Sequence, residues 1–420
     1  MGADDRVLDP ADYGSPRWSA EIADCAFPMT LDTYSNCAFD CVYCFSQFQR
    51  GVGGAADNYL AKVVKSVHID RIRRIFTHPE SSQFEQFVRE RRAIQWGGLS
   101  DQFDDNERQF GKTLELLHLF RELKWPITFS TKATWWAFDK RYQDVFADMP
   151  WNVKFSIITL DSAKAALIEQ GVPSPQERLS AMRVAAGFCG AGVTLRFRPF
   201  IIGVSNPGHV ELIEAAAEAG AGAVSTEFMC VETRSARLRD RGLTAMSVAA
   251  GFDIYEYYRR YSRGAGYLRL NRNVKRPFVD EMQEACKRLK MRFYVSDAHF
   301  KERCNNGCCC GLPESFPYSR GQWTEALQIA KRTGSIRWSE IASNLGFAKT
   351  LYFGRMAGYN TNSTENRTKY RGKTMFDVLR SLWNSPERGN SPYRLYDGIL
   401  RPVGTDESGD VIYEYDASRA

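Results

Sequence analysis

From about residue 31, short apolar or β-branched runs alternate with longer stretches whose apolar positions recur every three or four residues. The runs at 93–96, 127–131, 153–158, 193–197, 223–228 and 292–295 predict strands. Between them, residues 106–123 place Phe110, Leu114, Leu117 and Phe120 on one helical face. The stretches 175–191, 209–219 and 278–290 have the same periodicity. Strand then helix, repeated about six times, predicts parallel βα units. Such units close into a full or partial barrel or form an open doubly wound sheet. In either arrangement the active site is expected at the C-terminal ends of the strands.

The flanks differ. Residues 1–30 read as a polar lead-in anchored by Trp18 and Phe27, 31–300 as the repeating α/β unit, and 301–420 as a separate C-terminal region. In that region 323–332 and 338–345 predict short helices, 358–373 a polar loop, and the last residues, with Asp406-Glu407-Ser408-Gly409-Asp410 between apolar pieces, a hairpin. SEIASNLGF, from Ser339, resembles the first helix and turn of a helix-turn-helix.

An apolar share of 44% and a charged share of 25% in 420 residues exclude general disorder and allow a sizeable core. No run approaches the roughly 18–20 apolar residues of a membrane helix, and the first residues are acidic and polar. These features predict a cytoplasmic enzyme with no membrane partner. The net charge of +6 is uneven: residues 331–400 carry 12 Lys or Arg against 5 Asp or Glu. Arg355, Arg367, Lys369, Arg371 and Lys373 interleave with Tyr352, Phe353, Tyr359 and Tyr370. Cations meet phosphates and aromatics stack on bases, so this segment suits nucleic acid; a solvated cap over the barrel mouth explains the same residues.

The 11 cysteines concentrate in two knots. In a cytosolic chain, tight clusters read as metal or iron–sulfur ligands. Cys25, Cys189, Cys230 and Cys286 are scattered and read as small buried apolar residues. The first knot, Cys37-Ala-Phe-Asp-Cys41-Val-Tyr-Cys44, has three thiols on one short loop. They can bind three irons of a [4Fe–4S] cluster and leave the fourth open; zinc with a fourth ligand from elsewhere is the alternative. Tyr43 can cover a planar ligand. The second knot, Cys304-Asn-Asn-Gly-Cys308-Cys309-Cys310, can hold an auxiliary iron–sulfur cluster, zinc or a redox-active thiol set. Adjacent side chains diverge, so three of its four cysteines are expected to bind, with Cys286 or His299 as candidates for a further ligand. His299 beside Asp297 also reads as a strand-end polar pair.

Cys37, Cys41 and Cys44 match the signature of the radical SAM superfamily, which the chain resembles. The resemblance implies a partial (β/α)6 TIM-type barrel, with a small mostly helical C-terminal region added here. It also implies that S-adenosylmethionine chelates the open iron and that one electron splits it to a 5′-deoxyadenosyl radical. Gly97 and Gly98 at a strand end fall where the family has its glycine-rich methionyl-amino site, and Ser100 or Asp101 replaces the usual acidic residue. Lys132, in Ser130-Thr131-Lys132, can pair with the SAM carboxylate, and Ser156 with a ribose hydroxyl. More narrowly, the motif run from Gly97 to Gly203 resembles the spore photoproduct lyase-like, or DNA-repair-photolyase-like, branch. Arg196 and Arg198 on one strand face, with Glu227 and Cys230 nearby, are then the substrate-side candidates, Cys230 as hydrogen donor. The second knot departs from that branch.

The resulting expectation is an enzyme acting on DNA, RNA or a nucleotide, supplied with electrons by a flavodoxin or ferredoxin. A peptide or small metabolite is the alternative substrate class. An iron–sulfur or zinc DNA-binding regulator is the alternative from another class.

Overall fold

The computed structural model describes residues 8–9, 12–19, 21–47, 63–233, 236–262, 267–351 and 371–420. Its strands used below are β1 (Arg17–Trp18), β2 (Met29–Leu31), β3 (Asp40–Cys41), β4 (Ile94–Trp96), β5 (Ile127–Thr131), β6 (Trp151–Ser156), β7 (Glu169–Gln170), β8 (Val193–Phe200), β9 (Ala221–Phe228), β10 (Cys230–Glu232), β11 (Tyr267–Arg269), β12 (Arg292–Val295), β13 (Leu400–Thr405) and β14 (Val411–Tyr415). The helices are α1 (Asp105–Phe110), α2 (Lys112–Glu122), α3 (Lys140–Phe146), α4 (Pro175–Ala186), α5 (His209–Glu218), α6 (Ala236–Ala250), α7 (Arg272–Arg288), α8 (Trp323–Thr333) and α9 (Trp338–Ala342).

Eight strands form one mainly parallel sheet in the order β12-β9-β8-β6-β5-β4-β2-β1. The six strands read from the sequence are all present and neighbour one another in chain order. Helices fill the crossovers, which makes the chain an α/β fold. The order starts and ends on different strands, so the sheet does not close, consistent with a partial barrel. β5, β6, β8 and β9 pair in parallel, with Thr131 opposite Phe155 and Arg196 opposite both Ser156 and Ser225. β5 and β6 are buried at every position, as a parallel sheet covered on both faces requires.

Three helices of the repeating unit differ from the expected bounds by more than a residue. α4 stops at Ala186, five residues before the expected end, with Gly187 as its C-cap. The helix expected over 106–123 is broken at Gly111, whose φ of 66° ends α1 in a left-handed cap before α2 starts. α7 begins six residues before the expected start because Asn271 caps it on the Val274 N–H at 3.1 Å, and Pro277 is accommodated inside.

The described residues gather into two compact units. One lies within Met1–Ser15, Leu31–Ile69 and Trp96–Phe293; the other within Pro16–Thr30, Asp70–Gln95 and Tyr294–Ala420. In the first, Trp96, Phe146 and Trp151 surround Phe129 at centroid distances of 5.2–5.6 Å. In the second, Trp383 packs on Trp323, Trp338 and Tyr413 at 4.9–5.6 Å. The expected terminal hairpin forms as β13 and β14. The helix-turn-helix-like stretch instead makes the five-residue α9 and a four-residue 3-10 turn at Gly346–Lys349. Ile341, Leu345 and Phe347 there are fully buried. These three side chains pack into the core of the second unit. Residues 352–370 of the basic segment, including Tyr352, Phe353, Arg355, Tyr359, Arg367, Lys369 and Tyr370, lie outside the described residues.

Among the described residues no helix is long and apolar enough to cross a membrane.

Candidate functional site

The first cysteine loop is fastened at both ends. Its start is held by the Ala38 N–H donating to Asp104 Oδ2 at 2.5 Å, and the Cys37 N–H donates to Asn36 Oδ1 at 2.9 Å. Its middle is β3, which pairs antiparallel with β7, and the Val42 N–H reaches the Ile168 carbonyl at 3.0 Å. A turn then returns the Cys44 N–H to the Cys41 carbonyl at 3.0 Å. Asp40 is ion-paired with Arg241 of α6. The same helix passes so close that a Cβ on Gly242 would lie 2.5 Å from the Val42 carbonyl oxygen. No Cβ fits there without a backbone shift.

A charged network stands beside the thiols. Tyr43 donates its hydroxyl to Glu169 Oε1. Arg178 donates to Glu169 Oε2 at 2.6 Å and to the Ser156 carbonyl at 2.7 Å. Lys132 Nζ lies 5.5 Å from the Tyr43 ring centroid. Burial disfavours the Lys132 ammonium, but the charges of Cys41, Glu169 and Cys44 outweigh it and hold the group above the ordinary lysine value. Burial pushes the Cys41 thiol up to about 12, with Lys132 pulling the other way. Cys37 is held well above the ordinary thiol value by burial and by Asp104 and Asp101.

Lys132 thus comes together with Cys41, Cys44 and Tyr43. The other cofactor-side candidates have defined places nearby. Gly97 adopts φ +88°, and a Cβ there would meet Gln102 Oε1 at 2.2 Å and the Ser130 carbonyl oxygen at 2.6 Å, so glycine is required. Gly98 follows it in the turn after β4. Ser100 is buried and donates its hydroxyl to the Tyr34 carbonyl at 2.8 Å. Asp101 brackets the end of β5, accepting from Thr131 Oγ1 at 2.8 Å and from the Lys132 N–H at 2.5 Å. Ser130 lies within buried β5, and Ser156 ends β6.

Among the substrate-side candidates, Arg198 and Glu227 form an ion pair between β8 and β9. Arg196 is half-buried two positions before Arg198 on the same strand. Cys230 opens β10, opposite Arg269 of β11, with its thiol 3.9 Å from the Phe228 carbonyl oxygen.

A cleft of about 420 Å³ opens beside the cysteine loop. Phe39, Asp104, Arg108, Trp135, Gly171 and Glu177 are among its lining residues. Asp104 carries a carboxyl that burial, with Asp101 close by, raises to about 8. Asp104, Glu169, Arg178, Arg241 and Gly242 were not assigned roles from sequence. Their partners in the first cysteine loop, Ala38 for Asp104, Tyr43 for Glu169, Asp40 for Arg241 and Val42 for Gly242, lie far along the chain.

The second unit holds the other knot. Cys304, Cys308, Cys309 and Cys310 are all buried. The Val295 N–H donates to Cys304 Sγ at 3.2 Å, and the Cys310 N–H to Cys308 Sγ at 3.3 Å. The His299 N–H is bonded to Asp297 at 3.0 Å, the strand-end arrangement. Cys286 is buried in α7 of the first unit.

Among the described residues no three Cys, His, Asp or Glu side chains converge as they would on a single metal ion. An iron–sulfur cubane asks something different, since each thiolate binds its own iron at a separate corner. Three thiols on one pinned loop with a cation beside them can meet that requirement.

No protein-family model and no curated protein matches the chain. Among solved structures the likeness is to spore photoproduct lyase. One mutant form is 15% identical with a TM-score of 0.48, covering 68% of this chain and 80% of that one. Another, with bound AdoMet and dinucleoside spore photoproduct, is 16% identical with a TM-score of 0.49, covering 67% and 80%. A complex with the dinucleoside spore photoproduct is 15% identical with a TM-score of 0.48, covering 69% and 81%.

Proposed function

We propose that the chain is a radical SAM enzyme acting on nucleic acid or a nucleotide. The carrying observation is the Cys37, Cys41 and Cys44 loop pinned against Lys132 and the Glu169–Arg178 pair. In this reading the three thiols hold a [4Fe–4S] cluster. When bound, the cluster and S-adenosylmethionine would supply radical chemistry able to take a hydrogen atom from an unactivated C–H bond.

The chain's own residues do the rest. Lys132 offsets the negative charge of the thiolates and offers N–H donors to a carboxylate. Glu169 and Arg178 fix Tyr43 against the loop. Gly97 and Gly98 let backbone approach a ligand, and Ser100, Ser130 and Ser156 supply polar atoms along the strand ends. Arg196 and Arg198 present cations on one strand for a substrate phosphate, with Glu227 orienting Arg198. Cys230 is the candidate hydrogen donor. Arg371 and Lys373, both exposed, extend the same charge preference. A flavodoxin or ferredoxin is the expected electron source.

The test is anaerobic loading with iron and sulfide, then SAM and a strong reductant, with 5′-deoxyadenosine quantified. Deoxyadenosine from the wild type, lost in Cys41→Ala and increased by oligonucleotide, is the expected result. None from a fully loaded chain, with DNA and RNA each added, overturns the reading.

A further inference from the structure

The second cysteine knot has a fifth member, brought by the fold from more than 270 residues away. Residues 23–26 lie along the segment that follows the knot. The Ser319 N–H donates to the Ala26 carbonyl at 2.9 Å, and the Trp323 N–H to the Ala23 carbonyl at 2.8 Å. These bonds bracket Cys25. The neighbouring Asp24 is clamped from three directions: Lys301 Nζ at 2.8 Å, Thr324 Oγ1 at 2.6 Å, and the Tyr396 hydroxyl. The Cys25 thiol exchanges contacts with its own turn, 3.3 Å from the Phe27 carbonyl oxygen and 3.4 Å from the Phe27 N–H.

This clamp sets Cys25 within electrostatic range of Cys309 and Cys310, and Cys304 is within range of Cys309. Four thiols are thereby linked in pairs: 25 with 309, 25 with 310, and 304 with 309. Lys301 is buried among them and interacts with Asp24, Cys309 and Cys304. A buried ammonium beside several thiols is the compensation that a thiolate-rich site needs, because uncompensated buried charge is strongly unfavourable. Cys308 Sγ accepts the Cys310 N–H at 3.3 Å, and its charge is felt at Tyr318; with Cys25 included, a four-ligand set leaves one cysteine of the knot out, and the assignment leaves out Cys308.

We propose that Cys25, Cys304, Cys309 and Cys310 are the four ligands of an auxiliary [4Fe–4S] cluster, with Lys301 as its buried counter-charge. Each thiol releases its proton on ligation. The proposal deepens the reading of the second knot as an iron–sulfur site, and it stands whether or not the first knot cleaves SAM. Cys286 and His299 are not ligands in this assignment.

The test removes the first knot. A full-length Cys37→Ala, Cys41→Ala, Cys44→Ala chain is loaded anaerobically with ferric iron, sulfide and dithiothreitol, the thiol reducing part of the iron to the mixed-valent level of the cluster. Iron, acid-labile sulfide and the reduced-state EPR signal are then measured. The expected count is about four irons and four sulfides per chain. Adding Cys25→Ser is expected to remove at least half of the iron and change the EPR signal, while Cys286→Ser and Cys308→Ser leave both unchanged. Circular dichroism checks that each variant is folded.

A second measurement needs no further variant. Cys25 should resist alkylation in the loaded background chain and react after the iron is chelated, as read by peptide mass spectrometry. Full iron in Cys25→Ser, equal alkylation of Cys25 in both states, loss of iron in Cys308→Ser, or a background chain that takes up zinc but no sulfide would each overturn the assignment. SAM cleavage enters none of these readouts, so failure here and failure of the enzymatic reading are separate results.

Discussion

Arg178 and Glu169 form an ion pair of 2.6 Å in which both side chains are shielded from solvent. The pair also reaches the Tyr43 hydroxyl and the end of β6. It therefore joins the first cysteine loop to the sheet. Breaking a buried pair by removing one partner strands a charge, at a cost of about 3–5 kcal/mol. Arg178→Ala is expected to lose stability on that scale in urea unfolding. The double variant Glu169→Gln, Arg178→Met should recover part of it. Full stability in Arg178→Ala would remove the pair from the account.

The same pair has a pH signature. Burial pushes the Glu169 carboxyl upward, but Arg178 and Lys132 outweigh it, so its folded value is below the ordinary one. A depressed carboxylate stabilises fully above its unfolded pKa, roughly 4.3, and that contribution is lost as pH falls through the folded value. The stability gap between wild type and Glu169→Gln should be steady near neutral pH and shrink below about pH 4. A gap that widens in acid would contradict the assignment.

Asp104 acts with the opposite sign. Its carboxyl is raised to about 8, so from the ordinary aspartate value of about 3.9 upward the folded state keeps a proton that the unfolded state has released. Stability from this group falls as pH rises through that window, by up to about 1.4 kcal/mol per pH unit. Asparagine also caps helices well and keeps an acceptor for the Ala38 N–H. Asp104→Asn should therefore flatten the decline of stability between about pH 4 and 8 while preserving α1. Unfolding midpoints taken across that range decide the matter, and an unchanged slope would show that Asp104 is ionised when folded.

Lys132 controls how easily the loop gives up its protons. Metal ligation requires thiolates, and thiols raised by burial must be deprotonated as metal enters. Iron uptake by the first knot should rise with pH from neutral upward. Lys132→Met removes the cation that pulls the Cys41 thiol down, so its loading curve should shift to higher pH. Counting iron against pH in a chain lacking the second knot tests this. Superimposable curves would deny Lys132 the role.

The sheet was legible because buried parallel strands leave short unbroken apolar runs, such as Ile127–Thr131, separated by helical periodicity. The α7 start was not, since Pro277 looks like a boundary and the cap at Asn271 is ordinary in composition. The cysteine loop and Lys132 could be picked out by spacing and by position at a strand end. Their surroundings could not. Asp104 meets Ala38 across 66 residues, Arg241 meets Asp40 across 201, and Thr324 meets Asp24 across 300. No local pattern encodes such pairs; only the completed chain path does. Cys25 looked like an isolated apolar cysteine for the same reason.

In the proposed reading, the Arg198–Glu227 pair separates substrate handling from SAM chemistry. Each side chain keeps partial access to solvent, at 21% and 31%, so Arg198 can exchange its partner for an incoming anion. A charge-assisted hydrogen bond contributes about 1.5–3 kcal/mol, equivalent to about ten- to hundredfold in affinity. Arg198→Ala should weaken oligonucleotide stimulation of deoxyadenosine formation by that factor in apparent KM. The slow, substrate-free cleavage of SAM should stay the same, because Arg198 is not among the groups around Cys41 and Lys132. Arg198→Lys keeps the charge without the planar fork and should fall between the two. Glu227→Gln removes the competing carboxylate and should bind oligonucleotide at least as tightly as wild type, with a steeper loss of binding at high salt. If Arg198→Ala leaves the apparent KM unchanged, the phosphate-facing role of this strand is wrong, and substrate recognition has to be sought elsewhere on the chain.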